Sequence, residues 1–366
     1  MLMEAKDRER SAAPILADPA TTIPFDRASL SAYLATQGLA FDATAPIRQF
    51  AGGLANRNYL VGIDGRPAVL RRPPDGELPA GAHDMAREHR ILSRLSRVLP
   101  IVPRGLHFCA STDVIGVPFQ LIDYRHGLIV RGDDPDNRID DAASRAALSE
   151  TLVDTMVRLH AVDPRDAGLD DLGRPDGFLV RAVAGWTRRG LTIAGEGTGA
   201  TAISAIAAWL GRQRFRDRAP TLLHCDIKLD NLILDPVDLR PVALVDWDMG
   251  TRGDPLFDLA TLLSYWAEPN DPAPLRALRQ MPTARAGYWR RGDVVRRYAT
   301  LTGRPVDDLP AIHVLAMFKL SIVFLQLHRQ WATGAVDDPR YGAFRTLGED
   351  LLDLSHRMTR DPGLML

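Results

Sequence analysis

His224-Cys-Asp226-Ile-Lys228-Leu-Asp-Asn231 decides how this chain is read, together with Asp246-Trp-Asp248, which begins fifteen residues after Asn231 at the end of the apolar run Val242-Ala-Leu-Val245. Phosphoryl transfer needs such a set: one carboxylate to accept or orient a hydroxyl proton, then an amide oxygen and a second carboxylate to hold a divalent cation against phosphates. Asp226 suits the first task, Asn231 and Asp246 the second. Lys228, two residues past Asp226, can offset charge developing on a transferring phosphate. His224 is expected to fix the loop through hydrogen bonds, since the carboxylate two residues on already fills the proton-handling role.

Working outward from this stretch, the 366 residues call for two lobes, and the 46% apolar content is enough for a core in each. Residues 1–40 read as an arm followed by a short helix over Asp26–Gln37, with Leu30, Tyr33 and Leu34 on one face. Residues 41–124 read as strand, glycine loop, strand, turn at Asp64-Gly65, strand, helix and two more strands, the last ending at Tyr124. Residues 125–366 turn helical from about Asp141, interrupted only by short hairpins over Thr221–Asp248. The expected class is therefore α+β, with a small β-rich N-lobe carrying one helix and a larger, mainly helical C-lobe.

Charge and cysteine content exclude several partners. Lys plus Arg (45) nearly balance Asp plus Glu (46), which removes the footprint of a general nucleic-acid or anionic-membrane binder. Cys109 and Cys225 are too few for a disulfide framework and suit a reducing compartment, so a cytoplasmic location is expected. Met1 to Ala13 lacks a signal-peptide pattern, and no apolar stretch is expected to reach membrane-spanning length, the strongest, around His313 to Leu327, carrying Lys319 in its middle.

The two motifs resemble the protein-kinase pair H-R-D-L-x-x-x-N and D-F-G, and more closely the H-G-D-x-x-x-x-N and D-W-E/D pair of aminoglycoside phosphotransferase-like small-molecule kinases. Further matches are Phe50-Ala-Gly52-Gly53-Leu-Ala-Asn56-Arg-Asn58-Tyr, Leu70-Arg-Arg-Pro-Pro74, Val117-Pro-Phe119 and Gly253-Asp254-Pro255-Leu-Phe-Asp258-Leu-Ala. The likeness runs from about Phe41 to His328 and extends to bacterial proteins similar to the kinase-like domain fused to some acyl-CoA dehydrogenases. It implies a bilobal protein-kinase-like fold, with ATP and Mg²⁺ as cofactors and a small hydroxylated molecule as acceptor. Gly52, Gly53 and Asn56 would cover the nucleotide phosphates. Val69 would roof the adenine, and Arg71 would grip phosphate and pair with Glu88. Asp123 and Tyr124, as the hinge, would meet adenine through main-chain groups. The aspartates of the Gly253-Asp254-Pro255 segment would brace a helix start. Two positions depart from the family pattern: Cys225 stands where glycine is usual, and Ala55 where the phosphate loop usually has serine.

A protein kinase fits poorly, because Asp163 to Ala219 intervene before the catalytic stretch and Asp254-Pro255 follows Asp246 too closely for an activation loop. An ATP-binding pseudokinase and an aminoglycoside-type antibiotic kinase are the alternatives. Between Arg174 and Arg218 stand eight arginines against three acids, which favours an anionic acceptor, and the resemblance to the acyl-CoA-dehydrogenase-linked kinases implies a hydroxyacyl-CoA, whose phosphates some of these arginines could hold. The alternative for these arginines is a solvated helix face. Oligomeric state is open at this level.

Overall fold

The structure is a computed structural model, and it describes residues 14–51, 56–74, 84–132, 139–195, 198–336 and 338–366. Its N-terminal part is a five-stranded antiparallel sheet made of β1 (Arg48–Gln49), β2 (Arg57–Ile63), β3 (Arg66–Arg72), β4 (Gly105–Cys109) and β5 (Phe119–Asp123), in the order β1-β2-β3-β5-β4. The β2–β3 hairpin turns at Asp64 and Gly65, whose φ angles of 51° and 71° are both positive. A two-residue turn of that kind matches the twist of the flanking strands.

Alternation gives this sheet two faces. Tyr59, Ala68, Leu70, Phe119 and Leu121 pack on Leu30 and Leu34 of helix α1 (Arg27–Thr36). Asp26 starts α1 by accepting the Ser29 amide at 2.9 Å. The opposite face carries Val69, Arg71 and Gln120 toward helix α2 (Met85–Leu95), which is capped in the same way by Asp84. Ile91, Leu92 and Leu95 of α2 join the large core of the helical part.

That helical part consists of α3 (Ala142–His160), α4 (Phe178–Ala194), α5 (Thr198–Gly211), α6 (Pro255–Tyr265), α7 (Ala273–Ala277), α8 (Arg291–Thr302), α9 (Leu309–Ala332) and α10 (Phe344–Met358). Short strands interrupt it where the sequence predicts hairpins. β6 (Leu128–Ile129), β8 (Leu232–Leu234) and β9 (Pro241–Leu244) form one sheet, and β7 (Thr221–Leu223) pairs with β10 (Thr251–Gly253). The segment Asp163 to Ala219 folds as α4 and α5. Gly190 of α4 lies so close to α9 that a Cβ there would sit 2.7 Å from Ile322 Cδ1.

One sequence expectation is corrected. The 24-residue helix α9 is long and apolar enough, by length and composition, to cross a membrane. In the fold it is a core helix: 78% of its most apolar window is buried, and Lys319 is buried with it.

Candidate active site

The catalytic stretch leaves β7, passes Asp226 and makes a short 3₁₀ turn over Leu229–Asn231 before entering β8. Cys225 has φ 65°, in the left-handed region that costs a non-glycine residue roughly 1–2 kcal/mol. This explains why glycine is usual there, and the surrounding contacts show how cysteine is tolerated. Cys225 N–H donates to Asp258 Oδ1 at 2.7 Å, and its carbonyl accepts from Lys319 Nζ at 2.7 Å. Asp258 also accepts the His224 amide at 2.8 Å, with His160 Nε2 3.2 Å from the same oxygen and Tyr298 Oη 2.9 Å from His160 Nδ1. The main chain leading into Asp226 is therefore clamped from α3, α6, α8 and α9.

Asp226 itself is surrounded by donors. Oδ1 accepts from Tyr265 Oη at 2.7 Å, and Oδ2 accepts from Asn231 Nδ2 at 2.9 Å, with Lys228 Nζ 3.2 Å away. Burial alone would push this carboxyl up; Lys228, Lys319 and the Tyr265 hydroxyl outweigh it and hold it below the ordinary range. Asp226 is thus ionised at neutral pH. Burial lowers Lys228 as well, but Asp226 and Asp230 beside it more than reverse the effect, so it keeps its charge. Its ammonium lies 5.0 Å from the centre of the Tyr265 ring, in cation–π range. Burial holds Asp230 up at about 6.

Asn231 and Asp246 are brought together by backbone pairing, Val245 N–H donating to the Asn231 carbonyl at 2.9 Å. Asn231 Nδ2 also reaches the Asp226 carbonyl at 2.8 Å, so the amide nitrogen is tied to Asp226 and Oδ1 is left as the acceptor. Asp246 has φ 68°. A lone-pair oxygen from Asn231 and a carboxylate from Asp246 are the hard donors that Mg²⁺ takes, the rest of its shell coming from water and phosphate. The residues present fit that ion.

Arg71 links the two lobes. Its Nε donates to Glu88 Oε2 at 2.8 Å and its Nη1 to Asn58 Oδ1 at 3.3 Å, while Nη2 meets Asp246 Oδ1. Gln120 Nε2 donates to the same Glu88 oxygen at 2.7 Å. Burial pushes the Glu88 carboxyl up to about 7, against the pull of Arg71.

The structure therefore gathers Asp226, Lys228, His224, Asn231, Asp246, Arg71 and Glu88 around one site. His224 does what its expected role requires: Nε2 donates to the Val245 carbonyl at 3.0 Å and the ring lies 4.6 Å from that of Trp247. Val69 shares the cleft face with Arg71 and is half-buried, and Asn56 is buried. Of the hinge pair, Asp123 N–H is committed to the Arg104 carbonyl at 3.0 Å, and Tyr124 stacks on Phe50 at 6.3 Å. Gly52, Gly53 and Ala55 lie outside the described residues.

Of the two expected helix-start aspartates, Asp254 does cap α6, accepting Leu256 N–H at 2.9 Å, but Asp258 instead braces the catalytic loop. The arginines of the segment before the site are not at Asp226, whose hydrogen-bond and ion-pair partners are Tyr265, Asn231 and Lys228. Arg218 pairs with Asp254 at 2.9 Å and with Asp308, and Arg216 pairs with Asp307 at 3.1 Å. Tyr265, Lys319 and Gln120 were not named as site residues from the sequence. Only Lys319 carried a signal, as a lone cation inside an apolar helix.

Residues 46–294 match the model of the phosphotransferase enzyme family. The chain belongs to that family. Among curated relatives, this chain is 33% identical over 254 residues to acyl-CoA dehydrogenase family member 11 of Rattus norvegicus, covering 66% of the chain and 32% of the relative. It is 29% identical over 317 residues to family member 10 of Mus musculus, covering 86% of the chain and 29% of the relative. The chain thus spans about a third of the length of the curated relatives it matches. Among solved structures, one of a putative aminoglycoside phosphotransferase from Ralstonia eutropha superposes with a TM-score of 0.73 at 22% identity, covering 92% of this chain and 99% of that one. A thermostable mutant of an aminoglycoside phosphotransferase, in ternary complex with AMP-PNP and hygromycin B, gives 0.59 at 17% identity, covering 90% and 98%. These likenesses establish the bilobal kinase-like fold.

Proposed function

We propose that this chain transfers the γ-phosphate of Mg-ATP to a hydroxyl of a small molecule. The observation that carries the reading is the joining of Asp226, Asn231 and Asp246 in one site, with the Arg71–Glu88 pair reaching Asp246 across the lobes. Asp226, ionised and fixed by its neighbours, orients the acceptor hydroxyl and takes its proton as the new P–O bond forms. Lys228 stands beside it to offset charge on the phosphoryl group in transfer. Mg²⁺, held by Asn231 and Asp246, would neutralise phosphate oxygens when bound. Gly52, Gly53, Asn56 and Val69 would enclose the nucleotide, and the carbonyl of Asp123 and the main chain of Tyr124 would meet adenine.

The complex of a structural neighbour with AMP-PNP and hygromycin B supports a nucleotide and a small hydroxylated acceptor held together. Within that class we infer a hydroxyacyl-CoA acceptor, supported by the acyl-CoA dehydrogenase relatives and not by the insertion arginines. The reading carries with it a cytoplasmic location and no nucleic-acid or membrane partner.

The test is ADP release with Mg-ATP and a panel of hydroxyacyl-CoA thioesters, hygromycin B and kanamycin. Asp226→Ala should keep Mg-ATP affinity and lose about 10²-fold or more in turnover. Failure of the wild type to bind Mg-ATP would refute the function; turnover of kanamycin but of no thioester would refute only the acceptor.

A further inference from the structure

Asp226 meets a group that its role in phosphoryl transfer does not call for. The Tyr265 hydroxyl donates to Oδ1 at 2.7 Å, the kind of contact that an acceptor hydroxyl must make with this carboxylate. Tyr265 comes from the last residue of α6, 39 residues further along the chain, and is itself 7% exposed. Burial and the neighbouring Asp226 charge push its phenol up, so it stays protonated and acts as the donor. Lys228 Nζ sits 5.0 Å from the ring centre and fixes the ring from one side. A carboxylate offers about four lone-pair positions. Those on Oδ2 face Asn231 and Lys228, which leaves Oδ1 for an acceptor, and Tyr265 stands on that oxygen.

We propose that Tyr265 is a positioning residue that holds the acceptor's place on Asp226 Oδ1, and so keeps water from using that oxygen when no acceptor is bound. The inference rests on the phosphotransferase reading of the same site. If this oxygen were open, a water could hydrogen-bond to it and attack the γ-phosphorus. The water oxygen would then bond to phosphorus, the bond from phosphorus to the β–γ bridging oxygen would break, ADP would leave, and the water proton would pass to Asp226, giving ADP and inorganic phosphate. The tyrosine hydroxyl fills that position when no acceptor is bound. An arriving acceptor hydroxyl displaces it from Oδ1, so that oxygen is free to take a proton only once an acceptor has entered.

The experiment measures phosphate release from Mg-ATP by the full chain with water as the sole acceptor. Tyr265→Phe removes only the hydroxyl and keeps the ring, and Asp226 retains two donors. It should raise the hydrolysis rate about fivefold or more while leaving the KM for Mg-ATP within about twofold, a split that places the effect on the attacking side and not on nucleotide binding. In an Asp226→Asn background the same substitution should have no effect, because the oxygen it unmasks no longer serves a base. Hydrolysis unchanged or slowed in Tyr265→Phe overturns the inference, as does an equal rise in both backgrounds. A wild type that releases ADP slowly with Mg-ATP alone and faster with an acceptor leaves the phosphotransferase reading intact whichever way the tyrosine variant behaves. A wild type that binds no Mg-ATP ends both.

Discussion

Replacing Asp258 by asparagine should damage the catalytic loop at its foundation. Asp258 is fully buried, and its two oxygens accept the amides of His224 at 2.8 Å and Cys225 at 2.7 Å. Asparagine is nearly the same shape but has one acceptor oxygen, so one of the two amides would face an NH₂ group. The loss is one hydrogen bond to a charged acceptor, about 1.5–3 kcal/mol, together with a buried N–H left unsatisfied, about 1–3 kcal/mol. Some relaxation of the loop would return part of this, leaving about 2–5 kcal/mol, against a total stability of about 5–15 kcal/mol. Because both amides lie in the two residues just before Asp226, the same change should move the carboxylate and cut turnover further than it weakens nucleotide binding. Urea denaturation would show a lower midpoint at an unchanged slope, which is the signature of lost stability and not of altered compactness. A variant within about 0.5 kcal/mol of the wild type would refute the idea that these two bonds hold the loop.

Asp246→Ala should weaken Mg-ATP binding by calorimetry while leaving Mg-free nucleotide binding nearly unchanged, because it removes a charged ligand that phosphate cannot replace; normal Mg-ATP affinity would exclude Asp246 as a ligand. Glu88 predicts a pH effect on stability. Its folded-state carboxyl lies at about 7, above the ordinary 4.5, so its contribution is fully present below pH 4.5 and is lost as pH rises through about 7. Glu88→Gln should flatten that part of a Tm-against-pH curve, and parallel curves for the two proteins would contradict the assignment.

Most of the fold and the chemical core of the site were legible because they are written locally. Asp226, Asn231 and Asp246 sit in two short stretches at fixed spacing, and α1 announces itself through Asp26 at its cap and Leu30 and Leu34 on one face. Arg71 and Glu88 were legible as a pair because strand and helix positions bring them together in a familiar order. Asp258, Tyr265 and Lys319 were not legible as partners of the catalytic stretch, since they come from α6 and α9 and are placed by packing over long chain separations. The arginines before the site bear on the same point. Net charge over a segment says nothing about which way each side chain points, and Arg216 and Arg218 turned toward acids at the start of α6 and α9.

The lysine inside α9 has a consequence earlier in the life of the chain than catalysis. During synthesis α9 emerges as 24 residues with a mean hydropathy of 1.7 over its most apolar window, and must pack before it meets a bilayer. To the machinery that sorts nascent helices between water and lipid, a lysine near the centre of such a segment costs about 2.5–3.5 kcal/mol, against a gain of about 0.3–0.6 kcal/mol for a leucine. Lys319 stands in the middle of that helix, so the cation that later holds the Cys225 carbonyl also makes misrouting into a bilayer expensive. An insertion reporter carrying the α9 segment should show markedly more membrane integration with Lys319→Leu, and equal integration of the two segments would refute this second role. The same ammonium would then guard the destination of the chain as well as the shape of its catalytic loop.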